Sequence, residues 1–176
     1  MSIESLIVSI KEEKIKTAKP IVIVMVGLPG SGKSTLIKKI LSEIDNIHVE
    51  STDDLIEEEA NRLGLTYSEA FKIVNFKEIE KKAVALSTLA LQEGKSIIID
   101  QTNMSLKSRK KKIDRFRGFS IVAIDIKVSS EVLTKRLKDR AALTGKHIPQ
   151  FVIETMTNNY EEPSIAEGFS AVYYYQ

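Results

Sequence analysis

Short apolar runs alternate along this chain with segments whose apolar residues recur at helical spacing. The run at 21–26 is apolar and largely β-branched on both faces, as expected for a strand buried inside a parallel sheet. Shorter apolar runs predict further strands at 47–49, 95–99, 119–128 and 171–175.

The intervening segments carry the periodicity of amphipathic helices. Predicted helices occupy 3–17, 33–41, a segment beginning at Leu55, 67–92 in one or two pieces, 105–117, a segment from 129 or 130 to 140, and 150–160. Strands alternating with helices predict an α/β fold, a parallel sheet of about five strands with helices on both faces. No repeat or linker interrupts the pattern, so we expect a helical segment at 1–19 followed by one domain at 20–176.

The composition is that of an ordinary globular protein, with 43% hydrophobic and 28% charged residues. The absence of cysteine excludes disulfides and thiolate metal sites. The longest apolar run is too short to span a bilayer, and the first residues lack the pattern of a signal peptide. We therefore expect a cytoplasmic, or at least intracellular, protein with no membrane partner.

The net charge of +2 hides a strong asymmetry along the chain. Residues 43–80 contain 11 acidic and 3 basic side chains, whereas residues 105–147 contain 13 basic and 4 acidic ones. This distribution fits a basic surface that faces a polyanion, and it fits two solvated faces equally well.

A phosphate-binding pattern follows the first predicted strand and begins a predicted helix. Residues 27–34 match G-x-x-x-x-G-K-[ST] in full. Its glycines let the backbone N–H groups converge on phosphate, and the helix N-terminus adds a positive field. Lys33 is expected to reach the β- and γ-phosphates of ATP or another NTP, and the Ser34 hydroxyl to ligate Mg²⁺. The predicted nucleotide-binding residues are Gly27, Pro29, Gly30, Ser31, Gly32, Lys33, Ser34 and Thr35.

Six segments occur in the order known from one family of kinases. They are GLPGSGKST at 27–35, STDD at 51–54, IIIDQTN at 97–103, KRLKDR at 135–140, HIP at 147–149 and EEPSIAEGFSAV at 161–172. Together they resemble the kinase domain of the polynucleotide 5′-hydroxyl kinase family, in its phage and animal forms. The resemblance implies a P-loop kinase fold with a helical lid, with ATP and Mg²⁺ as cofactors. It also implies nucleic acid 5′ ends, of single strands or duplexes, as partners, in a cytoplasmic, nuclear or phage-encoded protein.

By position, Asp53 corresponds to the family's general base, and Arg136 and Arg140 to two lid arginines. The residues themselves agree, because a carboxylate just beyond the second strand of such a sheet lies beside the phosphate site. The alternative is that Asp53 or Asp54 only caps the following helix. The i, i+4 spacing places both arginines on one helix face, able to clamp phosphates or simply to be solvated.

Three further positions are candidates for contacts with metal or acceptor. Asp100 follows a buried strand and could hold Mg²⁺ through water, while Thr102 could bind an acceptor phosphate; turn and capping roles are the alternative. Seven of the eleven residues at 107–117 are basic, and this run, with Arg109 as our candidate, could contact nucleic acid phosphates or be a solvated helix face. His48 and His147 have no partners at metal-ligand or triad spacing, so we expect structural roles for both.

The sequence departs from the family at the acceptor side. Phage members carry an arginine three residues after the base, where this chain has Ile56, so Arg62 is the candidate substitute. No Asp-x-Asp-x-Thr motif occurs, and we predict no 3′-phosphatase activity from this chain.

The leading hypothesis is ATP-dependent phosphorylation of a polynucleotide 5′-hydroxyl, in nucleic-acid repair or end healing. The alternative is a kinase of a small hydroxyl compound such as a nucleoside, sugar or antibiotic; Ile56 favours it, and the segment at 161–172 and the basic run oppose it. A non-catalytic nucleotide-binding module is a third hypothesis, opposed by Lys33, Asp53 and Arg140. Aromatic residues, which stack on bases, are few and tryptophan is absent. The composition therefore predicts that nucleic acid would be bound mostly by electrostatic contacts.

Overall fold

Five parallel strands form one sheet in the order β2-β3-β1-β4-β5 in a computed structural model that describes all residues from Met1 to Gln176. The strands are β1 (Ile21–Val26), β2 (Ile47–Glu50), β3 (Ser96–Ile99), β4 (Ser120–Ile126) and β5 (Ala171–Tyr175). Every neighbouring pair is parallel, so all five carboxyl ends lie at one edge of the sheet. The predicted α/β fold with a five-stranded parallel sheet is confirmed.

Eight helices connect and cover the strands. They are α1 (Ile3–Thr17), α2 (Lys33–Leu41), α3 (Thr52–Leu63), α4 (Tyr67–Ile73), α5 (Phe76–Gln92), α6 (Leu106–Arg115), α7 (Ser130–Thr144) and α8 (Gln150–Asn158), followed by a 3-10 turn at Ile165–Glu167. None of them has the length and apolarity that crossing a bilayer requires.

Two helix boundaries differ from the predicted ones in ways that affect the site. Helix α3 begins at Thr52 and not at Leu55, because the Ser51 side chain accepts a hydrogen bond from the Asp54 N–H and caps it. Helix α7 continues four residues beyond Arg140 and ends where Gly145 takes a left-handed conformation. The predicted segment at 67–92 is two helices, since Asn75 caps α5.

The sheet separates two apolar cores, and the central strand β1 is completely buried. Ile21, Ile23 and Met25 belong to the core on one face, and their neighbours Val22, Val24 and Val26 to the core on the other. Each fully buried side chain of this size stabilises the fold by ~1.5–3 kcal/mol relative to leaving it exposed.

The N-terminal helix is part of the first core. Leu6, Ile7 and Ile10 of α1 are buried against β1 and α2 residues of the same apolar cluster. Helix α1 therefore packs into the kinase-like domain and helps to cover the sheet face opposite the second core.

Candidate active site

The phosphate loop turns between β1 and α2 beneath α7, the lid helix, and none of residues 27–33 is exposed. Gly30 and Gly32 have φ values of 82° and 108°, in the left-handed region. A Cβ at Gly30 would lie 3.1 Å from the Leu137 side chain, and one at Gly32 would lie 3.2 Å from a guanidinium nitrogen of Arg136. Side chains at these two positions would press against the lid helix and would be strained by the left-handed backbone.

Lys33 begins α2 and is almost fully buried. Its ammonium donates to the carbonyl oxygens of Gly27 (3.0 Å) and Leu28 (2.9 Å). Burial lowers the pKa of Lys33 to about 8, although the nearby carboxylate of Asp100 acts in the opposite direction. A triphosphate in the loop would offer this ammonium a stronger partner than two neutral carbonyls.

Ser34 and Asp100, the two predicted metal ligands, meet at the carboxyl edge of the sheet. The Ser34 hydroxyl donates to the Asp100 carboxylate at 3.4 Å. Burial raises the pKa of Asp100, while Lys33 opposes that shift. No group of three or more His, Cys, Asp or Glu side chains forms a metal cluster. A hydroxyl and one carboxylate fit Mg²⁺, which keeps several waters and takes its other ligands from nucleotide phosphates.

The remaining predicted loop residues differ in exposure and contacts. Pro29 faces a cavity beside the loop, and Thr35 is exposed in the first turn of α2. Ser31 is buried, and its carbonyl oxygen accepts a hydrogen bond of 2.9 Å from Arg136. This contact ties the first lid arginine to the loop that is expected to hold the phosphates.

Asp53 lies in the first turn of α3, with its side chain free of capping because Ser51 performs that role. Its carboxylate accepts a hydrogen bond of 2.9 Å from the Tyr67 hydroxyl on α4. The second lid arginine, Arg140, approaches the same carboxylate at 3.9 Å. Burial and the adjacent carboxylate raise the pKa of Tyr67, so this hydroxyl remains a hydrogen-bond donor.

A cavity of about 520 Å³ joins the phosphate loop to Asp53. Its wall contains residues from the phosphate loop, from α3 and α4, and from the segment that follows β3. The other residues of the wall come from α7, from the connection after α7 and from α8. They include Pro29, Asp53, Tyr67, Phe71, Lys72, Thr102, Arg140, Lys146, His147, Ile148, Pro149, Val152 and Met156. His147, for which we expected a structural role, lies in this wall.

The end of the lid reaches across the cavity to the opposite wall. Lys146 forms an ion pair with Glu57 of α3, and its ammonium lies 3.9 Å from the centre of the Tyr67 ring. The Ser68 hydroxyl donates to the Gly145 carbonyl at 3.4 Å. Neither Tyr67 nor Lys146 was predicted as a site residue, because no local motif connects them with Asp53.

Residues 22–163 match the family described as AAA domain, which is four-fifths of the chain. The chain belongs to the AAA domain family. This chain is 25% identical over 154 residues to the bifunctional polynucleotide phosphatase/kinase of Schizosaccharomyces pombe, matching 86% of this chain and 32% of that protein. The chain therefore spans about a third of the length of this curated relative.

Solved structures of other proteins share the fold of this chain. The AAA domain superposes on a chain of the Pnkp1/Rnl/Hen1 RNA repair complex with a TM-score of 0.67 and 28% identity, covering 80% of this chain and 44% of that one. A gluconokinase from Sinorhizobium meliloti 1021 superposes with a TM-score of 0.51 and 18% identity, over 88% and 81% of the two chains, which shows the fold alone. The resemblance to the polynucleotide kinase family is confirmed, and the AAA domain has the fold of a kinase-type P-loop enzyme that binds nucleotide.

The structure does not support a substrate contact by Arg109 of the AAA domain. Its guanidinium is fully buried and forms two hydrogen bonds of 2.7 Å with the Glu167 carboxylate. The same group donates to the carbonyl oxygens of Asn103 and Met104, both at 3.1 Å. All directions from which a phosphate could approach this guanidinium are therefore occupied by protein.

The rest of the basic run divides into two groups. Lys112 is buried and Arg115 pairs with Glu50 at 2.5 Å, so these side chains hold α6 against the domain. Lys107, Lys110 and Lys111 are exposed and remain available to solvent or to a polyanion.

Arg62, the candidate substitute for the family's arginine, lies far from Asp53. It pairs with Glu59 of its own helix and lies nine residues beyond Asp53 along α3, which is about 13 Å at the rise of an α-helix. Ile56, at the position of the family's arginine, is buried with Ala60 and Ala70 between α3 and α4. In the AAA domain, this position faces the interior and offers no contact to an acceptor.

The segment at 161–172, which carries much of the family resemblance, has a structural role here. The Glu161 carboxylate accepts a hydrogen bond from the Leu106 N–H at the start of α6, and Glu162 pairs with Lys127. Glu167 holds Arg109, and Phe169 is buried in the second core. This segment fixes α6 and the edge of the sheet and does not touch the cavity of the AAA domain.

Proposed function

We propose that this AAA domain is an ATP-dependent kinase that phosphorylates the 5′-hydroxyl end of a polynucleotide. The observation that carries the proposal is the single cavity whose wall contains both the phosphate loop, at Pro29, and the carboxylate of Asp53. Phosphoryl transfer requires a bound triphosphate and an acceptor hydroxyl in line with it, and this cavity lies beside both the loop and the carboxylate.

Each charged residue of the site has a distinct part in the proposed reaction. Asp53 accepts the proton of the acceptor hydroxyl as its oxygen forms a bond to the γ-phosphorus and the bond from that phosphorus to the β-phosphate oxygen breaks. Lys33 and Arg136, at the loop, stabilise the negative charge of the phosphates. Mg²⁺, for which Ser34 and Asp100 are suitable ligands, would neutralise further charge on the transferred group.

Arg140 and Tyr67 act on the acceptor side. The Tyr67 hydroxyl holds one oxygen of the Asp53 carboxylate, and Arg140 lies beside the other, so the carboxylate is oriented from two directions. A half-exposed carboxylate that is held in this way keeps a lone pair for the acceptor hydroxyl. Thr102, in the same wall, is the candidate for a hydrogen bond to an acceptor phosphate.

Two observations favour a polynucleotide as the acceptor. The likeness to a chain of an RNA repair complex is stronger, in identity and in superposition, than the likeness to a gluconokinase. The exposed Lys72 also lies in the cavity wall, and a cationic side chain suits an acceptor that carries phosphates. The buried Ile56 is the observation that favours a small hydroxyl compound, since it leaves the family's phosphate-binding arginine without a counterpart here.

The test is transfer of label from γ-labelled ATP to a 5′-hydroxyl oligonucleotide, with nucleosides, gluconate and aminoglycosides as competing acceptors. Asp53→Asn is expected to lower transfer by at least about a hundredfold, since a general base contributes roughly 10²–10⁴, and to leave ATP binding intact. Asp54→Asn is the matched control, because Asp54 is adjacent but does not line the cavity.

Three outcomes would contradict parts of this assignment. Label that enters a small compound and never an oligonucleotide would identify the acceptor as a small molecule. Loss of activity in Asp54→Asn with a normal rate in Asp53→Asn would move the base to the neighbouring residue. ATP binding without transfer to any acceptor would favour a non-catalytic module.

A further inference from the structure

Three aromatic rings form a row that begins at the proposed base and leads out of the cavity. The Tyr67 hydroxyl contacts Asp53, and the Tyr67 and Phe71 rings lie 5.8 Å apart on successive turns of α4. The ring of Phe76, the first residue of α5, lies 4.9 Å from that of Phe71 in an edge-to-face arrangement. Composition alone predicted few aromatic contacts for a nucleic acid, but the fold collects three of the rings in one place.

The outer two rings are largely exposed, as is Phe151 on α8. Phe71 retains 45% and Phe76 49% of its accessible surface, whereas Phe116 and Phe169 in the core retain 3% and 2%. Phe71 also lines the cavity, and Phe76 continues the row beyond the cavity wall. The exposed row is therefore continuous with the site that contains Asp53.

Two exposed cations lie beside the row, within the otherwise acidic segment 43–80. Lys72 and Lys77 follow the two phenylalanines directly and are exposed. Of the nearest carboxylates on these helices, Glu78 pairs with Lys81, whereas Glu69 accepts hydrogen bonds from Thr66 and keeps its charge. Aromatic rings beside cations are the arrangement by which proteins bind single-stranded nucleic acid, with bases stacked on rings and phosphates near ammonium groups.

We propose that Phe71 and Phe76 stack the first two bases of a single-stranded acceptor whose 5′-hydroxyl lies at Asp53. This inference rests on the proposed function and specifies its substrate. A single strand is required because the bases of a duplex are stacked on one another and cannot offer their faces to separate rings. Phe71 takes the terminal base inside the cavity, Phe76 takes the next base outside it, and Lys72 and Lys77 lie near the connecting phosphates.

The test compares acceptors of different length in Phe76→Ala, since this ring lies outside the cavity. For a single-stranded hexanucleotide, KM is expected to rise about five- to tenfold with the loss of one stacking contact. For a nucleoside 3′-monophosphate, which reaches only Phe71, KM is expected to remain that of the unmodified protein. Phe76→Tyr should retain the hexanucleotide KM, and Phe76→Leu should behave like the alanine variant.

Ile15→Ala, an exposed apolar position on α1, is the control for unspecific surface effects and should change neither KM. If Phe76→Ala leaves the hexanucleotide KM unchanged, or raises the KM of both acceptors equally, the stacking role is overturned. If the unmodified protein transfers label to small compounds but to no oligonucleotide, the proposed function itself fails. The two failures are distinguished by whether the unmodified protein phosphorylates the hexanucleotide.

Discussion

Replacing Arg109 by alanine tests whether this residue supports the fold or the substrate. The change leaves the Glu167 carboxylate, whose side chain is 6% exposed, without its bidentate partner, and it removes donors to two backbone carbonyls. Removing one member of a buried ion pair costs about 3–5 kcal/mol because an uncompensated charge remains in the interior. Domains have a free energy of unfolding of about 5–15 kcal/mol, so this loss is a large part of the total.

The expected consequence is a lower melting temperature and an earlier urea transition. For a chain of this size, each kcal/mol shifts Tm by about 2–4 °C, so Arg109→Ala should lower Tm by about 6–20 °C. Arg117→Ala is the matched control, because Arg117 pairs with Asp114 at the same 2.7 Å but with side-chain exposures of 79% and 45%. Such an exposed pair is worth about 0–1 kcal/mol.

Urea unfolding followed by circular dichroism, with acceptor KM measured at a temperature where both variants are folded, provides the comparison. The double change Arg109→Met with Glu167→Gln should recover part of the lost stability, because no isolated charge remains. The assignment would be refuted if Arg109→Ala unfolded no more easily than Arg117→Ala. It would also be refuted if Arg109→Ala kept full stability and raised the acceptor KM.

Two further predictions concern the nucleotide and the proposed base. Burial brings the pKa of Lys33 to about 8, and phosphates bind the protonated form, so ATP affinity should fall as pH rises through 8, approaching tenfold per pH unit. Calorimetric titration with ATP between pH 7 and 9.5 would show this loss of affinity. Lys33→Arg, whose side chain stays protonated, should not show it. An equal loss of affinity in both proteins would contradict the reasoning. Tyr67→Phe removes the hydroxyl that orients Asp53, and kcat should fall about three- to tenfold with unchanged ATP affinity, since this half-exposed hydrogen bond contributes about 1 kcal/mol. A Tyr67→Phe variant with the full kcat would show that Asp53 needs no such support.

The phosphate loop and the sheet were predictable because their determinants are local in sequence. Glycines, a lysine and a serine at fixed spacing adopt the same turn wherever a buried strand precedes and a helix follows. The run at 21–26 predicts a buried strand of a parallel sheet because it is apolar on both faces, and it is the buried strand β1 at the centre of the sheet. Helix α3 was predicted three residues late because every residue at 51–54 can cap a helix, and the first of them, Ser51, takes that role.

The acceptor side of the site was not predictable in the same way. Tyr67 meets Asp53 across 14 residues, Lys146 meets Glu57 across 89, and Glu167 meets Arg109 across 58. Sequence alone predicted the phosphate loop, because that turn depends on neighbours along the chain. Only the tertiary structure decided which charges are buried in pairs and which rings line the cavity, because burial depends on packing between segments that are distant in sequence.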